Sequence, residues 1–422
     1  MDSLIIEGGA RLSGEITLSG NKNAALPMIA ASLLTDEKIT LHNVPDIIDV
    51  NVMLAIVEEL GASISFHDGT LTLQAEDIVN PDIPHELCQK IRTSILFAAP
   101  LLHRCNRTSI WPPGGDVIGR RRLDGHFYGL TTMGAQIDYD ELPYRFNVTG
   151  RLTGRDLFLD EASVTATEQI MMSAVLAEGQ TILRNAAAEP HICQLGDMLI
   201  KMGANISGLG TNTLTIEGVH QLHGTECTVE GDHIEAGSFL AMAAVTGGEI
   251  TIHGTTPGHY WMIRRIFERL GIHLELIADD IFLPGDQELV VKTDFGNAVP
   301  TISDGPWPQF PSDLMSCTIV MATQSKGTVL FFEKMFESRI YFVDRLISMG
   351  ANAIVCDPHR VVISGPANLR GVEMSSPDIR AGMAMIIAAL CASGRSTVNN
   401  ASVISRGYEN IIAKIASLGG RI

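Results

Sequence analysis

Leu54-Ala55-Ile56-Val57-Glu58-Glu59-Leu60-Gly61-Ala62, continued by Ser63-Ile64-Ser65-Phe66, His67-Asp68-Gly69 and Thr70-Leu71-Thr72-Leu73, is the stretch from which the fold can be read. Its first part repeats apolar residues at three and four, as one face of a helix does, and Gly61 stands where such a helix ends. Its second part alternates with period two on either side of an Asp-Gly turn, the signature of a β-hairpin. The junction returns as Met133-Gly134-Ala135, Met202-Gly203-Ala204, Leu270-Gly271-Ile272, Met349-Gly350-Ala351 and Leu418-Gly419-Gly420. Successive glycines are separated by 73, 69, 68, 79 and 69 residues, too long for solenoid units and right for a small supersecondary module. A second helix in each copy is written in small and apolar residues: Ala24–Leu34, Thr93–Leu102, Glu168–Ala177, Ala236–Val245, Ser312–Ala322 and Ala381–Ala392. A short strand follows each, so the module reads β-α-β-α-β-β. Small residues on several helical positions predict close helix packing, with these helices inside and the sheets outside. No Pro/Ser-rich linker separates the six copies, which favours two domains of three modules each, an α/β architecture.

Composition narrows the function classes. With 422 residues, 45% hydrophobic and 18% charged, the chain can bury real cores and is not disordered. The most apolar segment, Met383–Cys391, is too short to span a bilayer. A formal net charge of −18 disfavours nucleic acid and anionic membranes as partners. The seven cysteines are scattered and never form a C-x-x-C pair, which suggests neither a disulfide framework nor a zinc site. Met1–Glu7 lacks the basic and apolar regions of a secretory signal, so a cytoplasmic location is expected.

Any anionic ligand must therefore meet a local cluster of cations, and such clusters stand at the starts of the small-residue helices. The residues there are Asn21-Lys22-Asn23, Lys90-Ile91-Arg92, Thr165-Ala166-Thr167, Asp232-His233-Ile234-Glu235, Phe310-Pro311-Ser312-Asp313 and Pro377-Asp378-Ile379-Arg380. Asn, Asp, Ser and Thr are ordinary N-caps. Lys22, Arg92 and Arg380, however, oppose the helix dipole, and a cost repeated at three equivalent places points to an anion held there. A second basic patch lies in Trp111-Pro112-Pro113-Gly114-Gly115-Asp116-Val117-Ile118-Gly119-Arg120-Arg121-Arg122, whose glycines and prolines describe a mobile loop. Gly114 and Gly119 have the spacing of a phosphate-binding P-loop, but Arg120-Arg121 replaces the Lys-Ser/Thr pair, which argues against that chemistry.

Six dispersed motifs resemble one family along the whole chain. Ser19-Gly20-Asn21-Lys22-Asn23-Ala24-Ala25-Leu26-Pro27, the Pro-Gly-Gly loop, Phe310-Pro311-Ser312-Asp313, Phe336-Glu337-Ser338-Arg339, Asp378-Ile379-Arg380-Ala381 and Arg406-Gly407-Tyr408-Glu409 are similar to the enolpyruvyl transferases of the UDP-N-acetylglucosamine 1-carboxyvinyltransferase type. The resemblance implies two inside-out α/β globular domains, each of three β-α-β-α-β-β repeats with central helices and the active site between them. Residues 1–21 and 231–422 would form a discontinuous catalytic domain, and 22–230 a second domain carrying a mobile loop over 112–126. The implied reaction moves the enolpyruvyl group of phosphoenolpyruvate to the 3-hydroxyl of UDP-N-acetylglucosamine, the committed step toward peptidoglycan, with no metal and no organic cofactor. Matched by motif, Lys22, Arg121 and Arg406 would hold phosphate, and Arg339, Arg380 and Arg406 the carboxylate of phosphoenolpyruvate. Asp313 would be the base toward the acceptor hydroxyl, Asn23 would position the acceptor, and Asp378 would complete the constellation. Arg92, Arg121, Arg122, Leu123, Asp124 and Met335 would face the nucleotide-sugar. Asp116 occupies the loop position where most of the family has a cysteine, which is thought to protonate the donor's methylene and is alkylated by the epoxide fosfomycin.

The chain departs from the family pattern at three further places, where Ile48, Glu161 and His233 replace usual basic residues. Two alternatives compete: an enolpyruvyl transferase acting on another nucleotide acceptor or on shikimate 3-phosphate, and a catalytically silent nucleotide-sugar-binding paralogue. The shikimate branch does not have the Pro-Gly-Gly loop, and a silent paralogue would have no reason to keep Lys22, Asp313, Asp378, Arg380 and Arg406 together.

Overall fold

In the computed structural model, which describes residues 3–116 and 118–422, the six repeat glycines all have positive φ, from +85° to +109°. Each follows a helix, beginning with Ile48–Glu59 and ending with Ile411–Ser417, and turns the chain through the left-handed region that glycine enters without a Cβ penalty. The repeated glycine is thus a requirement of the turn. Met1, Asp2 and Val117, the last inside the Gly-rich loop, lie outside the described residues.

The chain divides into two units. The first comprises Met1–Ser19, Asp116–Arg120 and Gly231–Ile422, and the second Gly20–Gly115 and Arg121–Glu230. Each unit carries three sheets and its own apolar core. The third copy of the second unit shows the module in full: strand Asp156–Phe158, helix Val164–Ala174, strand Gln180–Arg184, helix Pro190–Lys201, and the hairpin Asn205–Ser207 with Thr213–Glu217. Asp156–Phe158 pairs parallel with Gln180–Arg184, and the hairpin adds antiparallel.

The small-residue helices lie inside, as their composition predicts. His233–Val245 buries every residue from His233 to Ala244, and Ile379–Cys391 every residue but Cys391. In the first unit these two and Ser312–Gln324 pack against one another. The strands are half-buried and alternate, as in Thr70–Gln74 and Ser3–Glu7, because one face covers helices while the other meets water. The second copy departs from a single helix: Arg92–Phe97 is 3-10 and Ala98–Cys105 is α. Pro100 sits in the first α turn, where its missing N–H is no loss.

Strand exchange closes both units. Ser13–Thr17 precedes the second unit's helix Lys22–Ala31, yet it pairs parallel with Glu249–His253 of the first. Thr225–Thr228 precedes the first unit's helix His233–Val245, yet it pairs parallel with Ile39–His42 of the second. The N-terminal strand Ser3–Glu7 pairs antiparallel with Arg395–Asn399 and fills the hairpin place of the sixth copy. Gly8 follows it so tightly that a Cβ there would lie 2.0 Å from Ala392 O and 2.6 Å from Ala389 O. No helix among the described residues is long and apolar enough to cross a membrane.

Candidate active site

Three helix starts of the first unit bring charge together. Asp313, in the first turn of Ser312–Gln324, accepts from Arg339 Nη2 at 3.0 Å on one oxygen and from Arg380 Nη2 at 2.7 Å on the other. The two arginine side chains are 4% and 6% exposed, against 26% for Asp313. Arg380 opens the helix Ile379–Cys391, where its charge opposes the dipole. Asp378 caps that helix, accepting from the backbone N–H groups of Arg380 and Ala381 at 2.9 Å each. Burial pushes the Asp378 carboxyl up, against the pull of those N–H donors and of Arg339. Tyr408 lies under Arg380, its ring centre 5.2 Å from the guanidinium carbon, and its hydroxyl meets Ser238 Oγ at 2.9 Å.

Behind Arg339 lies Glu333, fully buried. Its oxygens accept from Ser312 Oγ at 2.9 and 3.1 Å and from the N–H groups of Met335 and Phe336 at 3.0 Å. Burial, with Asp304 beside it, pushes the Glu333 carboxyl up, against the pull of Arg339 and Ser312. Asp313 is the carboxylate hydrogen-bonded to both guanidiniums, with Asp378 within electrostatic reach of Arg339 and Asp232 of Arg380. Nη1 of both Arg339 and Arg380 is buried without a hydrogen bond, a costly state for a charged donor. A ligand carboxylate would satisfy these donors.

Arg406, at the end of the 3-10 turn Ala401–Arg406, donates from Nη1 to Asp116 Oδ1 at 2.6 Å, each side chain 18% exposed. The 116–120 stretch is fastened further where Ser338 N donates to Ile118 O at 3.3 Å. Gly119, with φ +126°, lies so close that a Cβ would stand 3.1 Å from Glu337 N. Met335 is 37% exposed beside this segment.

In the second unit Lys22 begins the helix Lys22–Ala31, capped by the Asn21 side chain through Asn23 N and Ala24 N. Lys22 Nζ lies 2.6 Å from Asp49 Oδ2, with the side chains 11% and 3% exposed. Sequence reasoning took the lysine's unfavourable position as a sign of a ligand alone, and the structure adds a protein partner. Arg92 begins the neighbouring 3-10 turn and donates to Arg122 O at 2.8 Å. Burial first, and Arg121 second, bring Arg92 down to about 10. Arg92, Arg121 and the Arg122 backbone thus gather in one place. The Arg122 side chain turns outward to Asp124, with both of its contacts at 2.7 Å, while Leu123 packs on the core.

The three replaced basic positions differ in setting. Ile48 and Glu161 lie at the surface. His233 is buried with its ring 5.7 Å from His259 and 6.0 Å from Trp307, and burial takes it down to about 3, so it adds no charge. Glu333 and the pairing role of Asp49 were missed in the sequence. A lone glutamate after the apolar Val329-Leu330-Phe331-Phe332 was the available signal for the first. Among the described residues no His/Cys/Asp/Glu group could hold a metal ion.

A family model described as EPSP synthase (3-phosphoshikimate 1-carboxyvinyltransferase) matches residues 6–415. The chain is 50% identical over 422 residues to a UDP-N-acetylglucosamine 1-carboxyvinyltransferase of Borreliella burgdorferi, covering 100% of this chain and 99% of that one. It is 52% identical over 423 residues to the protein of the same name from Treponema denticola, with the same coverage. Among solved structures, the enolpyruvyl transferase NikO from Streptomyces tendae aligns over 100% of this chain and 98% of its own, with a TM-score of 0.88 at 21% identity. An EPSP synthase from Acinetobacter baumannii aligns over 99% of this chain and 98% of its own, with a TM-score of 0.76 at 19% identity. Those two likenesses bear on the fold, and the full-length identity to the named relatives on the family: the chain belongs to the enolpyruvyl transferases of the EPSP synthase family.

Proposed function

We propose that this chain transfers the enolpyruvyl group of phosphoenolpyruvate to the 3-hydroxyl of UDP-N-acetylglucosamine, releasing phosphate and opening peptidoglycan synthesis. The observation that carries the reading is Asp313 held between two buried guanidiniums that keep unused donors. Arg339 and Arg380 take the donor's carboxylate. As it displaces Asp313 from them, the aspartate oxygens become free to accept the proton of the acceptor hydroxyl. Arg406, Lys22 and Arg121 take the phosphate, so both ends of a double anion are held while positive charge develops at C2. Asp378 and Asp313 stabilise that charge. Asn23, Arg92, Arg122, Leu123, Asp124 and Met335 orient the nucleotide-sugar. All seven cysteines are free thiols, which suits the reducing cytoplasm.

The direct test is phosphate release from phosphoenolpyruvate with UDP-N-acetylglucosamine, UMP or shikimate 3-phosphate as acceptor. Release with the first alone is expected. Release with another acceptor in preference would reassign the substrate, and none with any would point to a silent paralogue.

Lys22 has two roles that can be separated. Lys22→Met takes the cation away from the buried Asp49 carboxylate, an expected cost of about 3–5 kcal/mol. Adding Asp49→Asn should recover most of the thermal stability, while turnover stays depressed by about 100-fold or more for want of the phosphate contact. A double variant with native turnover would place Lys22 outside the chemistry.

Asp116 sits where the family's cysteine is alkylated, and a carboxylate neutralised by Arg406 is a poor nucleophile toward an epoxide. The protein should therefore resist time-dependent inactivation by fosfomycin. Asp116→Cys should become sensitive, because Arg406 favours a thiolate beside it. Inactivation of the unmodified protein with an adduct mapped to Asp116 would contradict this.

A further inference from the structure

Around Ser19, where the chain leaves the first unit, four polar side chains form a network to which the proposed reaction gives no role. Lys414 Nζ donates to Glu235 Oε1 at 2.6 Å and to Ser19 Oγ at 2.8 Å. Ser19 Oγ donates in turn to Glu409, and Ser19 N donates to Glu235 Oε2 at 2.9 Å. The Glu235 side chain is 3% exposed and that of Lys414 17%.

The network joins three stretches of the first unit. Glu235 lies in the first turn of the core helix His233–Val245, whose cap residue Asp232 donates its N–H to Ser19 O at 2.9 Å. Lys414 lies in the helix Ile411–Ser417. Glu409 belongs to the Arg406-Gly407-Tyr408-Glu409 motif, whose Tyr408 meets the same core helix at Ser238. The segment presenting Arg406 and Tyr408 is thereby fastened to that helix at two points, Tyr408 at Ser238 and Glu409 through Ser19, where Lys414 braces both Ser19 and Glu235. A buried ion pair is a poor source of stability, because desolvation offsets attraction and apolar residues of like volume serve as well. Its directional bonds fix geometry, which apolar packing does less strictly.

We infer that Lys414, with Glu235, Ser19 and Glu409, positions the segment carrying Arg406 and Tyr408 for the enolpyruvyl donor without touching the substrate. The inference rests on the reading of Arg406 as a donor-binding residue.

Lys414→Met in the full chain is expected to raise KM for phosphoenolpyruvate on the order of tenfold, leaving KM for UDP-N-acetylglucosamine within about twofold, with Lys414→Arg restoring most of the loss. A pH signature accompanies it. Burial pushes the Glu235 carboxyl up to about 7, Asp232 adds to the rise, and Lys414 and Ser19 N oppose it. Glu409 connects to this group through Ser19. Without Lys414 the carboxyl rises further. A raised carboxyl favours the folded state below its unfolded value of 4.5, and that stability is lost as pH rises through the folded value. Lys414→Met should thus lose more thermal stability at pH 8 than at pH 5.

Should the single variant fail to fold, Glu235→Gln with Lys414→Met removes both charges and should still raise the donor's KM. A fall in thermal midpoint with both KM values unchanged, or an equal rise in both, would overturn the inference. A wild-type chain that releases no phosphate would instead overturn the functional reading on which it rests.

Discussion

A carboxylate shared by two buried guanidiniums is the interaction on which the site of the first unit depends. Asp313 faces Arg339 and Arg380 at 3.0 and 2.7 Å, and together with Asp378 and Asp232 nearby it offsets the cost of burying the two cations. Glu333 approaches Arg339 to 3.9 Å, and burial pushes its carboxyl up. Tyr408 gives Arg380 an aromatic face, and Asp232 lies within its electrostatic reach. Nη1 of each arginine stays buried without a hydrogen bond, a donor an anion could take.

The repeat explains why such a cluster can exist in so apolar a chain. Small residues let three helices pack together inside the first unit, and their starts bring Asp232, Asp313 and Arg380 within electrostatic reach of one another. Helix N-termini offer unsatisfied N–H groups, and Asp232 and Asp378 close two of the three as caps. Pro311, at the cap position of the third, makes no side-chain bond, and there Asp313 turns to the arginines. The same fold exchanges strands at Ser19–Gly20 and Glu230–Gly231, so the chain passages between units run directly into the helix starts that carry Lys22 and His233.

Much of this was legible in the residues. Gly61 and its five counterparts gave the turn, the period-two text after them the hairpins, and Ala236–Val245 the buried helix, because each is a local requirement of sterics or burial. The exchange of Ser13–Thr17 and Thr225–Thr228 was not legible, since strand pairing is decided by partners more than 180 residues away. The broken helix at Arg92–Cys105 has its local sign in Pro100, but its 3-10 first half does not follow from propensity. Among site residues, Asp313, Arg339, Arg380 and Arg406 stood out by motif. Asp49 and Glu333 did not, because an acid's partner is visible only once the fold brings the two together.

The proposed reaction requires Asp313 to act as a base that the donor's carboxylate releases from its arginines. Asp313→Asn keeps the shape and removes the charge, so titration calorimetry on the variant should show both substrates still binding while phosphate release falls by about 1,000-fold or more. Release within a few-fold of the native rate, with binding intact, would contradict it.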